Sequence, residues 1–252
     1  MDDAIERVRG WVHEAAALVV LTGAGISTDS GIPDYRGPQG AWTKNPEAEK
    51  MANIGHYVAD PEVRRRAWAT RRRSPAWSAE PNDGHRALAE LERTTNFHSL
   101  LTQNVDGLHQ LAGSDPSRVV EVHGTMREVV CLDCDERAPM ERALARVEAG
   151  EEDPECRSCG GILKSATISF GQGLVAADLA RAERAALSAD LMLAVGTTLG
   201  VYPIANVVPT AKRSGARVVI INGSATEMDD LADVVIRGSI SEVLRRLVVA
   251  GA

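Results

Sequence analysis

Long apolar runs are missing from this 252-residue chain, and no stretch comes near the roughly 20 apolar residues that span a bilayer. Its first residues, Met1-Asp2-Asp3-Ala4-Ile5-Glu6-Arg7, are acidic and lack the apolar core of a secretory signal. A cytoplasmic protein that does not engage a membrane is the expectation. Positive charge is also in short supply. Against 35 acidic residues stand 28 Lys and Arg, giving a net charge of −7, and aromatics make up only 4%. Nucleic-acid binding needs a basic surface with rings for stacking, so it is not expected. Cysteine is scarce as well. The four that occur fall in two pairs, and without a secretory signal such pairs read as metal ligands before disulfides. Low-complexity segments and internal repeats are absent. A content of 44% hydrophobic and 25% charged residues is ordinary for a globular protein, and the length suits one α/β domain with insertions.

What is present is a series of short apolar runs. Ala17 to Leu21 is β-branched and ends in Thr22-Gly23-Ala24-Gly25, a buried strand entering a glycine turn. Similar runs recur at Phe97 to Thr102, Val119 to Val122, Leu191 to Val195, Val218 to Ile221 and Val234 to Ile236, with helical patterns between them at His85 to Arg93 and Ala177 to Leu187. Alternation of this kind predicts an α/β fold, a doubly wound, Rossmann-like parallel sheet. Two segments break the rhythm: one around 34–82, punctuated by prolines, and one at 126–168, carrying all four cysteines. The division expected is a sheet domain from 1–33, 83–125 and 169–252, a helical insertion with a lid at 34–82, and a zinc-ribbon insertion at 126–168, the insertions making a smaller lobe.

Glycines directly after a buried strand let backbone approach a pyrophosphate, and the helix N-terminus that follows offers N–H donors. Here the usual dinucleotide fingerprint is incomplete, because Thr28 stands where its third glycine would be. No acidic residue ends a second strand about 20 residues on, so a standard nicotinamide dehydrogenase is disfavoured. Other polar clusters sit at expected strand ends: Thr102-Gln103-Asn104-Val105-Asp106-Gly107-Leu108-His109, and Val122-His123-Gly124. Carboxyl ends of parallel strands are where doubly wound folds place ligands, so these clusters should converge on one crevice. The two knuckles Cys131-x-x-Cys134 and Cys156-x-x-Cys159 suit tetrahedral Zn²⁺. Four thiolates leave no position for water, so the metal should be structural.

Together these motifs resemble the sirtuin family. Gly23-Ala24-Gly25-Ile26-Ser27, Gly31-Ile32-Pro33-Asp34, Gln103-Asn104-Val105-Asp106 and His123-Gly124 match its signatures in the family order. Gly196-Thr197-Thr198-Leu199 does too, with Thr198 where serine is common, and Ile221-Asn222 matches the adenosine-side motif. The resemblance runs from about Leu18 to the last strand. It implies NAD-dependent removal of acyl groups from protein lysines, acetyl being the expected one, with acyl-lysine proteins as partners, NAD as co-substrate and one structural zinc. A monomer is favoured. ADP-ribose transfer to protein shares the same NAD activation, so these motifs do not separate the two. A non-catalytic NAD sensor is the reading from another class, disfavoured because His123 and Asn104 are both present.

Residue by residue, the resemblance implies His123 as the base acting on a ribose hydroxyl, with Gln103 and Asn104 holding ribose hydroxyls or a water. It implies NAD contacts from Gly23, Ala24, Gly25, Ile32, Asp34, Tyr35, Arg36, Gln103, Asn104 and Asp106, and from Gly196, Thr197, Thr198, Asn222, Gly223, Ser224 and Ile240. Tyr35 stands where phenylalanine is usual, on the lid. Ile168, Ser169, Phe170 and Gly171 are expected to line the lysine tunnel and add a strand to the substrate peptide. Around them Ser165 and Gln172 replace a proline and a glutamate of the family pattern, which leaves acyl preference open. The arginine runs 64–66 and 71–73 read as a solvated helix face. One branch of the family binds a succinyl carboxylate through a tyrosine and, three residues later, an arginine. The nearest placement here, Ala69 and Arg72, lacks the tyrosine, so a dedicated desuccinylase is not expected and Arg72 is the residue to test.

Overall fold

In the computed structural model, which describes residues 1–34, 40, 44 and 51–248, every expected strand and both expected helices form where the pattern places them. Helix α1 (Asp2–Glu14) turns Ile5, Val8 and Val12 inward, the spacing of one helical face. Strand β1 (Leu18–Thr22) is buried along its whole length and enters a 3-10 helix at Ala24–Ser30, not an α-helix. Two helices follow in the first insertion: α2 (Ile54–Ala59), capped by the Asn53 side chain, and α3 (Pro61–Arg72), capped by Asp60 with Pro61 in its first turn. Helix α4 (Asp83–Thr94) starts in a capping box in which His85 takes the reciprocal position to Asn82. Then come β2 (Phe97–Thr102), the short α5 (Leu108–Leu111) and β3 (Val119–Glu121). The second insertion brings β4 (Gly124–Cys131), β5 (Arg137–Pro139), α6 (Met140–Glu148) and β6 (Leu163–Thr167). The chain then returns through α7 (Ala176–Ser188), β7 (Leu191–Val195), α8 (Val207–Arg213), β8 (Arg217–Ile221), β9 (Val234–Ile236) and α9 (Ile240–Val248).

Six strands form one parallel sheet in the order β3-β2-β1-β7-β8-β9. Alternate side chains serve opposite faces. Leu18 and Val20 join Ile5, Val8, Leu88, Leu91, Leu244 and Leu247 on one face, while Val19 and Leu21 meet Ala182, Ala186, Val208 and Ala211 on the other. Small residues on α7 let it lie close to the strands. The chain runs outward from β1 to β3 on one side and restarts beside β1 with β7, so a crevice opens at the carboxyl ends of these two neighbours.

The smaller sheet is antiparallel, ordered β5-β4-β6. Val129, Cys131, Met140, Ala143, Cys156 and Leu163 form its core, closed by the fully buried Trp68 of α3. Residues of both insertions thus share one core. Arg64 on α3 pairs with Asp153 at 2.7 Å, and the buried Tyr57 hydroxyl donates to the Leu163 carbonyl at 2.8 Å. Among the described residues no helix is long and apolar enough to cross a membrane.

Candidate active site and metal centre

At the head of the crevice, β1 and β7 are stitched together by backbone. Gly23 N donates to Val195 O at 3.0 Å and Gly25 N to Gly196 O at 2.8 Å. Gly196 has φ +63, and a Cβ there would lie 2.5 Å from Ile26 N, so both conformation and contact demand glycine. Gln103 ties in the third strand end: its N bonds Thr22 O at 3.0 Å, and its Nε2 donates to Thr197 Oγ1 at 2.9 Å.

Asn104 follows, buried, with its Nδ2 donating to Gly23 O at 3.1 Å and to Ser27 Oγ at 3.2 Å. Ser27 Oγ in turn donates to Asp106 Oδ2 at 2.8 Å, while Asp106 Oδ1 accepts from Leu108 N at 2.9 Å. Ser27 therefore joins Asn104 and Asp106. Its place at the end of the Gly23-Ala24-Gly25-Ile26-Ser27 motif was the sequence signal for that role. Beneath lie His85 and His109, rings 4.9 Å apart. His85 Nε2 approaches Ser27 Oγ at 3.4 Å, and His109 Nε2 bonds Thr22 Oγ1 at 3.0 Å. Burial holds the pKa of both below the ordinary histidine value, to about 4 for His85, so both are neutral supports rather than proton carriers at neutral pH.

His123 is half-buried at the mouth of β3. Its Nδ1 lies 3.0 Å from Gln103 O. A carbonyl only accepts, so Nδ1 carries the proton and Nε2 is left with the lone pair of a base. Burial lowers its pKa, partly opposed by that hydrogen bond, which favours the neutral form. Gly124 next to it has φ +72, and a Cβ there would stand 2.1 Å from Ala166 O, so strand β6 passes hard against the histidine turn. Ile168 N continues that contact, donating to His123 O at 2.7 Å.

The other predicted positions line the same region unevenly. Ile32 and Asp34 leave the 3-10 helix half-buried, and Tyr35 and Arg36 lie outside the described residues. Asn222, at the end of β8, is buried and its Nδ2 donates to Ser224 O at 2.9 Å; Gly223, Ser224 and Thr198 are exposed. Ile240 opens α9 and is 9% exposed. In the stretch expected to receive a peptide strand, Ile168 N bonds His123 O, Ser169 N bonds Gln172 Oε1 and Phe170 N bonds Ala52 O. Phe170 O also accepts from Ile54 N. The N–H groups of Ile168, Ser169 and Phe170 are thus already engaged and are not offered to an incoming strand. Gln172, read as a departure from the family pattern, holds this turn.

The four cysteine Sγ atoms lie within 4.8 Å of one another, Cys131 and Cys156 buried, Cys134 and Cys159 exposed. The closest pairs, Cys131 with Cys159 at 3.5 Å and Cys134 with Cys156 at 3.7 Å, are far beyond a disulfide bond. Tetrahedral Zn²⁺ with Zn–S near 2.3 Å requires sulfurs roughly 3.8 Å apart, close to the two shortest distances here, so the donor set suits one ion.

The arginine runs face solvent only in part, and Arg72 lies on the solvated side as read. Arg72 is exposed on the outer face of α3. Arg71 is the inward residue, its guanidinium 4.9 Å from the Trp68 ring, and Val63, Ala67, Trp68 and Arg71 form one helical stripe. Nor are the arginine runs wholly solvated, since Arg64 is held in the ion pair with Asp153. Helical periodicity through Trp68 would have singled out Arg71.

The chain matches the Sir2 family model over residues 23–203. It is 51% identical over 230 residues to NAD-dependent protein deacetylase 2 of Streptomyces coelicolor, covering 91% of this chain and 95% of that one. It is 40% identical to NAD-dependent protein deacetylase 1 of Bradyrhizobium diazoefficiens, over 95% and 93% of the two chains. Among solved structures, a Sir2 with a p53 peptide and NAD+ superimposes with a TM-score of 0.87 at 33% identity, over 96% of each chain. A Sir2 bound to acetylated peptide gives 0.86 at 31%, again over 96% of each. The chain belongs to the Sir2 family, the sirtuins.

Proposed function

We propose that this chain is an NAD-dependent protein-lysine deacetylase, turning acyl-lysine and NAD into free lysine, nicotinamide and O-acyl-ADP-ribose. The observation that carries the reading is His123, held by Gln103 O in the tautomer that leaves Nε2 as a base, at the crevice between the sheet and the smaller lobe. Relatives at 51% and 40% identity named as NAD-dependent deacetylases support it.

The residues present suit NAD. Gly23, Gly25 and Gly196 keep the β1 and β7 ends free of side chains, where the 3-10 turn begins. Ala24, Thr197 and Thr198 extend that edge, with Asn222, Gly223, Ser224 and Ile240 for the adenosine end. When bound, NAD supplies a nicotinamide leaving group and a ribose that accepts the acyl group. Asn104, fixed by Gly23 O and Ser27, and Gln103, fixed by Thr197, orient polar groups at the ribose. Asp106 and Ile32 flank the amide, and Asp34, Tyr35 and Arg36 belong to the lid. His123 Nε2 takes a proton from a ribose hydroxyl, contributing the ~10²–10⁴-fold of a positioned base. Ile168, Ser169, Phe170 and Gly171 face the acyl-lysine peptide. Cys131, Cys134, Cys156 and Cys159 hold a structural zinc, and thiolate ligands suit a reducing compartment such as the cytoplasm. Acyl-lysine proteins are the partners, and a monomer suffices, since one chain carries every group named.

The test is an acetyl-lysine peptide incubated with the purified chain, with and without NAD, while peptide mass and NAD products are followed. NAD-dependent loss of acetyl with O-acetyl-ADP-ribose appearing, and neither in His123→Ala, is the expected result. ADP-ribosylated protein in place of deacylated peptide would replace this reading with transferase activity.

A further inference from the structure

Arg127 on β4 reaches from the smaller lobe to a strand end of the crevice. Its Nε donates to Asp106 O at 3.0 Å, and its guanidinium lies 5.5 Å from the centre of the Trp77 ring, a cation–π contact. The stem of the side chain runs along Gly107, where a Cβ would meet Arg127 Nε at 3.3 Å and Cγ at 3.5 Å, on a backbone at φ +75. Trp77 closes the short 3-10 turn Pro75–Trp77 and is anchored in its turn, Nε1 donating to Arg71 O at 2.6 Å near the end of α3. One half-buried guanidinium thus joins the first insertion, the second insertion and the Asp106-Gly107 turn. Among the described residues no carboxylate pairs with it, so its directed contacts go to a carbonyl and a ring.

What Arg127 holds bears on NAD. Both carboxylate oxygens of Asp106 accept a bond, from Ser27 Oγ and from Leu108 N, and a carboxylate with roughly four acceptor sites keeps about two for a ligand. Where those sites point depends on the backbone of residues 105–107. Two consecutive residues of β4 hold that backbone: Met126 N donates to Val105 O at 2.9 Å, and Arg127 Nε to Asp106 O. The first is a main-chain bond that survives a change of side chain. The second exists only through the arginine. We propose that Arg127 is a positioning residue for nicotinamide: clamped between the Trp77 ring and the Asp106 carbonyl, it aims the Asp106 carboxylate at the carboxamide N–H groups. This rests on the deacylase reading, in which Asp106 flanks that amide. Misplacing an acceptor by about 1 Å costs up to ~100-fold in rate. The loss falls on nicotinamide, because the acyl-lysine peptide is met elsewhere, by residues 168–171.

Nicotinamide is the leaving group of the first step, so added nicotinamide drives that step backwards and slows deacylation. The experiment uses the whole zinc-loaded chain with acetyl-lysine peptide and NAD. It measures the nicotinamide concentration that halves the rate, the exchange of labelled nicotinamide into NAD, and KM for the peptide. Arg127→Met should raise the first and lower the second by about 10- to 100-fold. Peptide KM should stay within about twofold, since no peptide contact is removed. Trp77→Leu, which removes the ring behind the guanidinium, should move both nicotinamide values the same way by less. Arg127→Lys, which keeps a stem and a donor, should recover part of the loss. Unchanged nicotinamide values in Arg127→Met overturn the proposal. So does a parallel decline of exchange, peptide binding and Tm, the mark of a merely structural side chain. Should Arg127→Met fail to fold, Arg127→Lys and Trp77→Leu decide by the same criteria. A wild-type chain that splits NAD without deacylating sinks the deacylase reading alone, and nicotinamide inhibition of that cleavage then tests Arg127. A chain that splits no NAD sinks both.

Discussion

His85 and His109 make different use of the same side chain as His123. All three are shifted toward the neutral form by burial, but only His123 stands at the crevice mouth with no partner for its Nε2 among the described residues. The other two hold up the turn: His85 through Asn82 and Ser27, His109 through Thr22 and, by way of the 2.8 Å Thr22–Thr102 hydroxyl bond, the start of the Gln103-Asn104 segment. Their burial has a consequence for stability. Unfolded histidine takes up a proton near pH 6.5, whereas His85 folded does so only near 4, and burial likewise holds His109 well below its ordinary value. Between those values the unfolded chain binds more protons, so stability is complete above about pH 6.5 and is lost as pH falls toward 4. Each such histidine contributes up to about 1.4 kcal/mol per pH unit in that window. Thermal melts from pH 7 to 5 should therefore show a falling Tm, and His109→Gln should make the decline shallower. A decline of equal slope in the variant would assign the proton uptake elsewhere.

At the scale of elements, the passage of β6 against the His123-Gly124 turn is the tightest constraint on the site. Gly124→Ala meets both a backbone at φ +72 and a carbonyl 2.1 Å away that belongs to a strand and cannot move alone. Gly113→Ala, at φ +101, meets nothing nearer than Arg93 Nη1 at 3.9 Å. Strain alone costs about 1–3 kcal/mol, so both variants should lose stability. Only Gly124→Ala should also lose deacylation, by at least ~100-fold, because β6 and the histidine turn must separate. Equal activity in the two would mean the close approach is dispensable. This contrast also marks how far the sequence could be read. Leu18–Thr22 and Leu191–Val195 are uninterrupted apolar runs because the sheet buries both faces, so their strands were legible. The 3-10 form of Ala24–Ser30 was not, since it follows from Gly25 N bonding Gly196 O across a gap of 171 residues in numbering. Strands β4 to β6 were hidden too, for their core is shared with Trp68 and with cysteines that a metal organises. The motifs foretold which strand ends carry polar residues, whereas Ser27's links to Asn104 and Asp106, and the inward turn of Arg71 rather than Arg72, are matters of three-dimensional contact.

The molecule as a whole joins two bodies of unequal self-sufficiency. The large sheet has an apolar layer on each face, with helices covering both. Among the described residues the smaller lobe's core cluster has seven buried members, two of them the cysteines Cys131 and Cys156. A core of that size does not hold a fold by apolar burial alone, and the remainder falls to the metal, as in other small metal-held units. Because Trp68 and Tyr57 pack against this lobe, its integrity fixes α2 and α3, and β6 carries it to His123. The large sheet's glycine-lined crevice does not depend on it. Elemental analysis should find one zinc per chain, and its removal by a chelator under reducing conditions should abolish deacylation and acyl-peptide binding while leaving NAD binding measurable by calorimetry. Far-ultraviolet circular dichroism should retain the helical signal of the large domain, and restoring zinc should restore activity. Cys134→Ser, in which the exposed position replaces one thiolate by a poor zinc ligand, should lower zinc content and melt at a lower temperature with the same split between the two binding activities. Full deacylase activity in a chain verified free of zinc would show that the smaller lobe stands on its own packing. Simultaneous loss of NAD binding would show that the two bodies fold as one.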